Sequence, residues 1–465
     1  MNNRVIKIKQ IILTVGDLIL MQGALLLALM LRYRTTDIAI YWNSHRIAFG
    51  IVFALWVVIF FINGLYDLRK AKNSIRFFQN LLISFIANFF VGLMFFYFIP
   101  AFRITPKTNL VLTVLLSIVL ISLWRALFNH SLGPKLLRRS ILFLGFHPRV
   151  EDLVVAFAKD PQLGFATAAI MEPEHHIIPE HIKTSVQLFS DPMRIRSVVD
   201  IKEIHTVVIA PHLARAGELE KELYELLFWR VEMADLATFY EHITGRVNAD
   251  MVNESWFWQN LRESRKQYYD ALRTVADVGF ALILGALLLI LLPFVAIAII
   301  AESGRPLFIK QKRIGRHNKP FTIYKLRTMY ASGKSGLAET SGPQFASAND
   351  ARITKVGKWL RRLRIDELPQ SWNILKREMN LIGPRPERAA FVQQLQARMP
   401  YYSIRHLIRP GLTGWAQVSY RYGATLEENL VKLEYDLYYM KYRSLLMDIV
   451  IMLKTVHIIA KAMGR

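Results

Sequence analysis

Apolar positions along this chain follow three different rhythms. Four long apolar runs fill the first 130 residues: roughly 11–31 ("IILTVGDLILMQGALLLALML"), 47–64 ("IAFGIVFALWVVIFFING"), 81–100 ("LLISFIANFFVGLMFFYFIP") and 110–128 ("LVLTVLLSIVLISLWRALF"). Each approaches the ~20 residues that a helix needs to cross a bilayer. They predict a four-helix transmembrane domain over 1–130. From 138 to 250 the runs shorten. "SILFLGF" and "HTVVIA" look like buried parallel strands, and "GELEKELYELLFWRV" has helical spacing. Strand and helix alternating in this way predict a cytoplasmic Rossmann-like α/β domain. The third regime, 266–465, is a mostly helical domain that opens on a fifth apolar run, 278–300 ("VGFALILGALLLILLPFVAIAII").

The fifth run is long enough to span, but Pro293 interrupts it, and proline in a helix interior kinks or breaks it. Both flanks are basic: Arg262, Arg265, Lys266 and Arg273 precede it, and Arg305, Lys310, Lys312, Arg313, Arg316 and Lys319 follow. A cytoplasmic preference for Lys and Arg asks for both ends on one side. The expectation is a re-entrant helix hairpin that turns at Pro293. The same rule, applied to Arg4, Lys7 and Lys9, to Arg69, Lys70, Lys72 and Arg76, and to Lys135, Arg138 and Arg139, places the N-terminus and everything after residue 130 in the cytoplasm. Arg32, Arg34 and Arg46 in the first loop dissent mildly. No small-residue cleavage site follows the first run, so a cleaved signal peptide is not expected.

Charge sharpens this picture. The chain of 465 residues holds 59 Lys+Arg against 36 Asp+Glu, yet 53% of it is hydrophobic. Basic and apolar together point to a membrane protein with a positive cytoplasmic face, not to a nucleic-acid binder. There is no cysteine, which excludes disulfides, thiolate metal sites and cysteine nucleophiles. Asp17 lies inside the first run, where an acid is either functional or held in a structural pair. In the middle domain the first strand is followed by "LGFHPRVEDL". With Gly145 alone, the G-x-G-x-x-G cradle for a pyrophosphate is missing, so no cofactor is expected there. His175, His176 and His181 stand in a Pro/Glu-rich stretch that reads as a surface loop more than as a metal site.

The candidate chemistry is in the last third. Residues 331–350 are small and polar and read as a long functional loop. Next, "ARITKVGKWLRRLRI" carries six cations and no acid, and Asp366 and Glu367 follow in "RRLRIDELPQ". Asp is a favoured helix N-cap and Pro is tolerated in a first turn. An acid at such a place is held ionised, and phosphate and Mg²⁺ are drawn to it. "LIGPRPE" presents Arg385 between two prolines, and arginine suits bidentate phosphate contact. Trp415 in "RPGLTGWAQV" suits a membrane interface, a nucleobase contact or a packed loop. Together these parts suggest phosphoryl transfer at a membrane surface.

The ordered set "FIKQKRIG", "FTIYKLRTM", "SANDARITKVGKWLRRLRIDELPQSWNILK", "NLIGPRPE", "RPGLTGWAQV" and "KLEYDLYYMKYRSLLMDIVIMLKTV" closely resembles the bacterial polyprenyl-phosphate sugar-1-phosphate transferases, the monotopic phosphoglycosyl transferases that start exopolysaccharide and O-antigen synthesis. The dense match is 266–465, and the four spans and α/β middle resemble the large form. The resemblance implies transfer of sugar-1-phosphate from a UDP-sugar to undecaprenyl phosphate with release of UMP, at the bacterial inner membrane. By motif, Asp366 resembles the nucleophile that forms a phosphosugar-enzyme intermediate, and Glu367 its Mg²⁺-associated partner. Arg361, Arg385, Lys325, Arg327 and Arg313 match cations near the phosphates, and Pro293 the break of the hairpin. A homodimer is a family-based expectation. "RTVAD" (273–277) departs from the family pattern and blurs how Arg273 and Asp277 meet the lipid headgroup. Two rivals fit less well. A membrane-anchored nucleotide-sugar dehydratase needs a helical Tyr-x-x-x-Lys, and Tyr330 to Lys334 lies in the Gly/Ser-rich loop. A catalytically inactive scaffold leaves the intact Asp366–Glu367 pair without a role. The sugar itself is not encoded by any motif in the chain.

Overall fold

The computed structural model describes residues 4–34, 37–99, 107–174, 176–213, 217–229, 231–252, 254–261, 266–330, 350, 352–420 and 425–460. The expected loop at 331–350, apart from Asp350, lies outside the described residues, as do His175, Arg262 and Arg265. The chain divides into two compact units, Met1–Ile243 and Thr244–Arg465.

The first unit opens with four helices, α1 (Arg4–Tyr33), α2 (Ile38–Ile62), α3 (Ile75–Phe98) and α4 (Lys107–Leu127). All four are long and apolar enough to cross a membrane. Helix α1 packs on α2 and α4, and α3 on the same two. Aromatic side chains fill the centre: Phe49, Phe53, Trp56 and Phe60 of α2 meet Phe85 and Phe96 of α3. Ile11, Ile19, Ile83, Ile86, Phe90, Val119 and Leu123 point outward and are exposed, as helices solvated by lipid require. Asp17 is fully buried, 2.5 Å from the Arg125 guanidinium and 2.9 Å from the Tyr66 hydroxyl. It is thus held in a structural pair, because a buried charge needs a partner.

The rest of this unit is a five-stranded parallel sheet of order β3-β2-β1-β4-β5. The strands are β1 (Arg139–Leu144), β2 (Phe165–Met171), β3 (Gln187–Phe189), β4 (Thr206–Ile209) and β5 (Glu232–Asp235), alternating with helices such as Pro148–Lys159. The two runs read as buried strands from sequence are the adjacent β1 and β4, and their Ile141–Leu144 and Thr206–Val208 are buried.

The second unit begins before the boundary expected from composition. Val247 and Val252 join its core, and the Val247 amide donates to the Glu434 carbonyl. Its backbone is the helix α5 (Gln267–Ser303). A turn is expected at Pro293, but the helix continues through it. Packing on both sides offsets the lost hydrogen bond: Leu292 and Val295 lie against the cluster of Ile299, Leu326 and Leu360. One stripe of α5 rests on its own unit along its length, through Asp277, Ala281, Leu284, Leu288, Leu292, Val295 and Ile299. That spacing of three and four residues is one helix face. Leu282, Ile283, Leu289, Ile290, Phe294 and Ile297, away from the stripe, are exposed.

The antiparallel pair β6 (Phe308–Ile314) and β7 (Pro320–Leu326) packs through β7 on a 3₁₀ turn at Ile365–Gln370; that turn, α6 (Lys355–Arg362), α7 (Ser371–Leu375) and β8 (Asn380–Ile382) pack against α5, and β9 (Gly411–Thr413) pairs in parallel with β8. Helix α8 (Leu426–Tyr442) completes the core with Leu433, Leu437 and Met440.

Candidate active site

The acidic pair does not cap a helix as its sequence suggests. Helix α6 ends at Arg362, and Arg364 turns the chain with φ +57°. The left-handed turn lets a 3₁₀ segment follow at once, with Asp366 and Glu367 in its first turn. Both acids are buried, at 8% and 7% exposure. Asn373 of α7 staples this element to β7: it accepts from the Tyr324 amide at 3.4 Å and donates to the Thr322 carbonyl at 2.7 Å.

Three cations converge on Glu367. Lys325 of β7 and Arg385 reach Oε1 at 3.4 and 3.1 Å, and Arg364 reaches Oε2 at 3.1 Å. Burial works against the Glu367 charge, but Arg385, Lys325 and Arg364 together outweigh it and hold this carboxyl well below its ordinary range. Asp366 behaves oppositely. Burial, and next the neighbouring Glu367 charge, push it up to about 6 against the pull of Lys325, Arg361 and Arg364. The acid held firmly ionised is therefore Glu367, and Asp366 is the one raised. The sequence predicted ionisation from a helix N-terminus, and burial overrides that term. Among the described residues none donates a hydrogen bond to the Asp366 carboxylate.

Arg361 stands beside the pair, its Nε donating to Thr328 Oγ1 at 2.8 Å. Helix α6 comes this close because Gly357 lies on the strand end. A Cβ there would sit 2.1 Å from the Thr328 carbonyl oxygen. Gly357→Ala is expected to destabilise the protein by about 1–3 kcal/mol and to reduce activity with it. Thermal melting checks this, and an unchanged midpoint would rule out the close approach.

Arg385 is aimed by a glycine crossing. The Gly383 amide donates to the Thr413 carbonyl at 2.8 Å, and the Gly411 amide to the Pro384 carbonyl at 2.9 Å. A Cβ on Gly411 would fall 2.0 Å from the Gly383 nitrogen, so only glycine permits this contact. Buried Arg405 holds the Arg385 carbonyl at 3.0 Å and is itself paired with Asp436 of α8 at 2.7 Å. Arg313 of β6 lies at the edge, 3.7 Å from Glu387.

Arg327 does not join the cluster. Its guanidinium donates to the Arg305 carbonyl and Ser303 Oγ, each at 3.0 Å, and to the Gly304 carbonyl. It ties down the C-terminal end of α5. Arg273 and Asp277 are likewise turned inward, not toward a lipid headgroup: Arg273 donates to the Ile382 carbonyl, and Asp277 accepts from the Leu381 amide at 3.2 Å. Trp415 opens the short helix Trp415–Ser419 and is packed there, donating to the Gly245 carbonyl at 2.7 Å beneath Lys454. The sequence reading passed over Arg364, Arg405 and Asp436. Arg364 stood in the quoted run, but nothing in the run marks which cation turns back.

Two adjacent carboxylates amid Lys325, Arg361, Arg364 and Arg385 make a site for a polyanion such as a diphosphate. The donor chemistry also fits Mg²⁺, which takes one or two carboxylates and completes its shell with water and phosphate oxygens. Asp366 offers oxygens that no donor occupies, while those of Glu367 are shared with three cations.

The fold and this site define a membrane-embedded protein with a cation-lined carboxylate pair for phosphate chemistry. The bacterial sugar transferase family profile matches residues 268–462. A UDP-glucose:undecaprenyl-phosphate glucose-1-phosphate transferase of Caulobacter vibrioides is 41% identical over 191 residues, 40% of this chain and 69% of its own. The chain belongs to this bacterial sugar transferase family. A UDP-N-acetylgalactosamine-undecaprenyl-phosphate N-acetylgalactosaminephosphotransferase of Aeromonas hydrophila is 39% identical over 249 residues, 54% of this chain; the match spans 57% of that relative's length. A UDP-glucose:undecaprenyl-phosphate glucose-1-phosphate transferase of Klebsiella pneumoniae is 27% identical over 443 residues, 90% of this chain and 89% of its own.

Proposed function

We propose that this protein transfers sugar-1-phosphate from a UDP-sugar to undecaprenyl phosphate, and so begins a polysaccharide repeat unit at the cytoplasmic face of the bacterial inner membrane. The observation that carries this reading is the division of labour between two adjacent buried acids. Glu367 is committed to three cations, while Asp366 faces the same cations with no donor of its own. In the reading, an Asp366 oxygen attacks the β-phosphorus of the UDP-sugar. The bond from that phosphorus to the bridging oxygen breaks and UMP leaves. A phosphate oxygen of undecaprenyl phosphate then attacks the same phosphorus, the aspartyl–phosphorus bond breaks, and the carboxylate is restored. Lys325, Arg361, Arg364 and Arg385 offset charge on the diphosphate and on the departing UMP. Asp366 and Glu367 would hold Mg²⁺, which when bound supplies further charge neutralisation. The relatives' names support both substrates. UMP release measured against a panel of UDP-sugars, with and without undecaprenyl phosphate, tests the reaction and reads the sugar. No release with any of them would leave the scaffold reading.

The same proposal keeps both ends of α5 on the cytoplasmic side, without the turn at Pro293 that the sequence suggested. Both of its ends are tied to one unit: Arg273 and Asp277 to β8, and Glu302 to the Lys355 and Val356 amides at the start of α6, at 2.6 and 2.8 Å. A continuous helix that packs along its length on one unit and is anchored there at both ends keeps both ends at that unit's side of the membrane, with its exposed apolar side in lipid. Accessibility reporters at residues 260 and 318 should both read cytoplasmic. A periplasmic signal at 318 would end this topology.

A further inference from the structure

The sheet of the first unit reverses strand order between β1 and β4, where open α/β sheets take their ligands. Three chemistry-bearing side chains meet there, and the transferase site uses none of them. Glu172 follows β2, His176 lies four residues on, and His212 follows β4. His176 Nδ1 is 3.2 Å from Glu172 Oε1, and His212 Nε2 is 3.6 Å from Oε2. The two imidazoles lie 4.6 Å apart between centroids. One ligand atom from each of the three residues falls within 4.8 Å of the others.

The arrangement is built, not incidental. Glu172 is buried, and its oxygens accept from the Phe146 amide at 2.5 Å and the Glu174 amide at 2.9 Å. Burial opposes its charge, but those amides and His176 hold it below the ordinary carboxyl range. Backbone donors to a carboxylate are the kind of outer contact that fixes a metal ligand. Gly145, at φ +87°, gives His212 its place: a Cβ there would fall 2.9 Å from the imidazole Cε1 and Nε2. The lone glycine that fails as a dinucleotide cradle thus admits an imidazole. His212 Nε2 is buried with no hydrogen-bond partner, and an unsatisfied buried nitrogen is costly to keep. His176 lies in a surface loop, as its sequence suggests, and its meeting with Glu172 and His212 arises only through the sheet.

We propose that Glu172, His176 and His212 form a binding site for a borderline divalent transition-metal ion of the Zn²⁺ class. Two imidazoles and one carboxylate select such ions over Mg²⁺, and three protein ligands leave a fourth position for water or a small anion.

The test uses the full-length, untagged chain in lipid nanodiscs, stripped with a chelator and titrated with Zn²⁺, and in parallel with Co²⁺ followed by its visible absorption. One ion per chain is expected, with excess Mg²⁺ failing to compete. His176→Ala and His212→Ala should each weaken Zn²⁺ binding by at least ~10-fold and remove the Co²⁺ absorption. Both changes leave the Glu172 backbone contacts intact, and the melting midpoint of the metal-free chain verifies folding. A wild-type chain that retains no Zn²⁺ against a weak competing chelator would overturn the proposal. So would a folded His176→Ala/His212→Ala double variant that binds as the wild type does.

Discussion

Asp366→Asn is expected to abolish UMP release, by ~10⁴-fold or more, while the protein still inserts and folds. Asparagine keeps the shape of the side chain but cannot form the proposed covalent intermediate, and loss of a nucleophile is among the largest single-residue effects in enzymes. Folding should survive because the Asp366 carboxylate anchors nothing: among the described residues no donor holds it. The pH dependence follows from the same environment. Burial and the Glu367 charge push Asp366 up to about 6, and in the proposed reaction only the ionised form attacks. Activity of the native protein should therefore be full well above pH 6 and fall as pH drops through that value. The assay is UMP release across a pH series, with melting midpoints as the control. A folded Asp366→Asn protein retaining more than a few per cent of activity would remove Asp366 as nucleophile.

Glu367→Gln is expected to lose ~10²-fold or more of activity and to move the acid limb of the remaining profile to lower pH. The glutamine keeps an acceptor oxygen but removes the charge that Arg385, Lys325 and Arg364 share. Those cations then lose their fixed anchor, and their placement on the diphosphate loosens. A second effect has a definite sign. The Glu367 charge is one of the two causes that raise Asp366. With it neutral, only burial still opposes Lys325, Arg361 and Arg364, and the ionisation of Asp366 moves down. Breaking a buried pair from one side also costs stability, on the order of ~3 kcal/mol. If the acid limb stays in place in a folded Glu367→Gln protein, the coupling between the two carboxylates is not what sets the Asp366 ionisation.

The legible parts of this molecule are those that local pattern governs. Apolar runs near 20 residues marked α1 to α4, since crossing length and hydrocarbon solvation act on consecutive residues. The strands β1 and β4 were readable because parallel strands buried on both faces need unbroken apolar stretches. Asp366, Glu367 and Arg385 stood out as charge among Pro and Gly. Less legible was everything that depends on which distant groups meet. Arg327 and Arg385 are both arginines in quoted motifs, yet one clamps the end of α5 and the other reaches Glu367. Arg405 and Asp436 carry no local mark, and they matter only because α8 brings Asp436 to the Arg405 that holds the Arg385 carbonyl.

By itself the sequence determined that four apolar helices precede an α/β region and a basic domain, and it singled out "RIDELPQ" as the candidate site. Hydrophobic length, charge asymmetry and motif order are properties of neighbouring residues, and they survive without coordinates. Only the tertiary structure decided which of the two acids the cations hold. The left-handed turn at Arg364, the glycine crossing at Gly383 and Gly411, and the approach of α6 at Gly357 bring three cations onto Glu367 and bury Asp366 beside it. Ionisation of a buried group is set by what surrounds it in space, which a linear reading of "RRLRIDELPQ" does not contain.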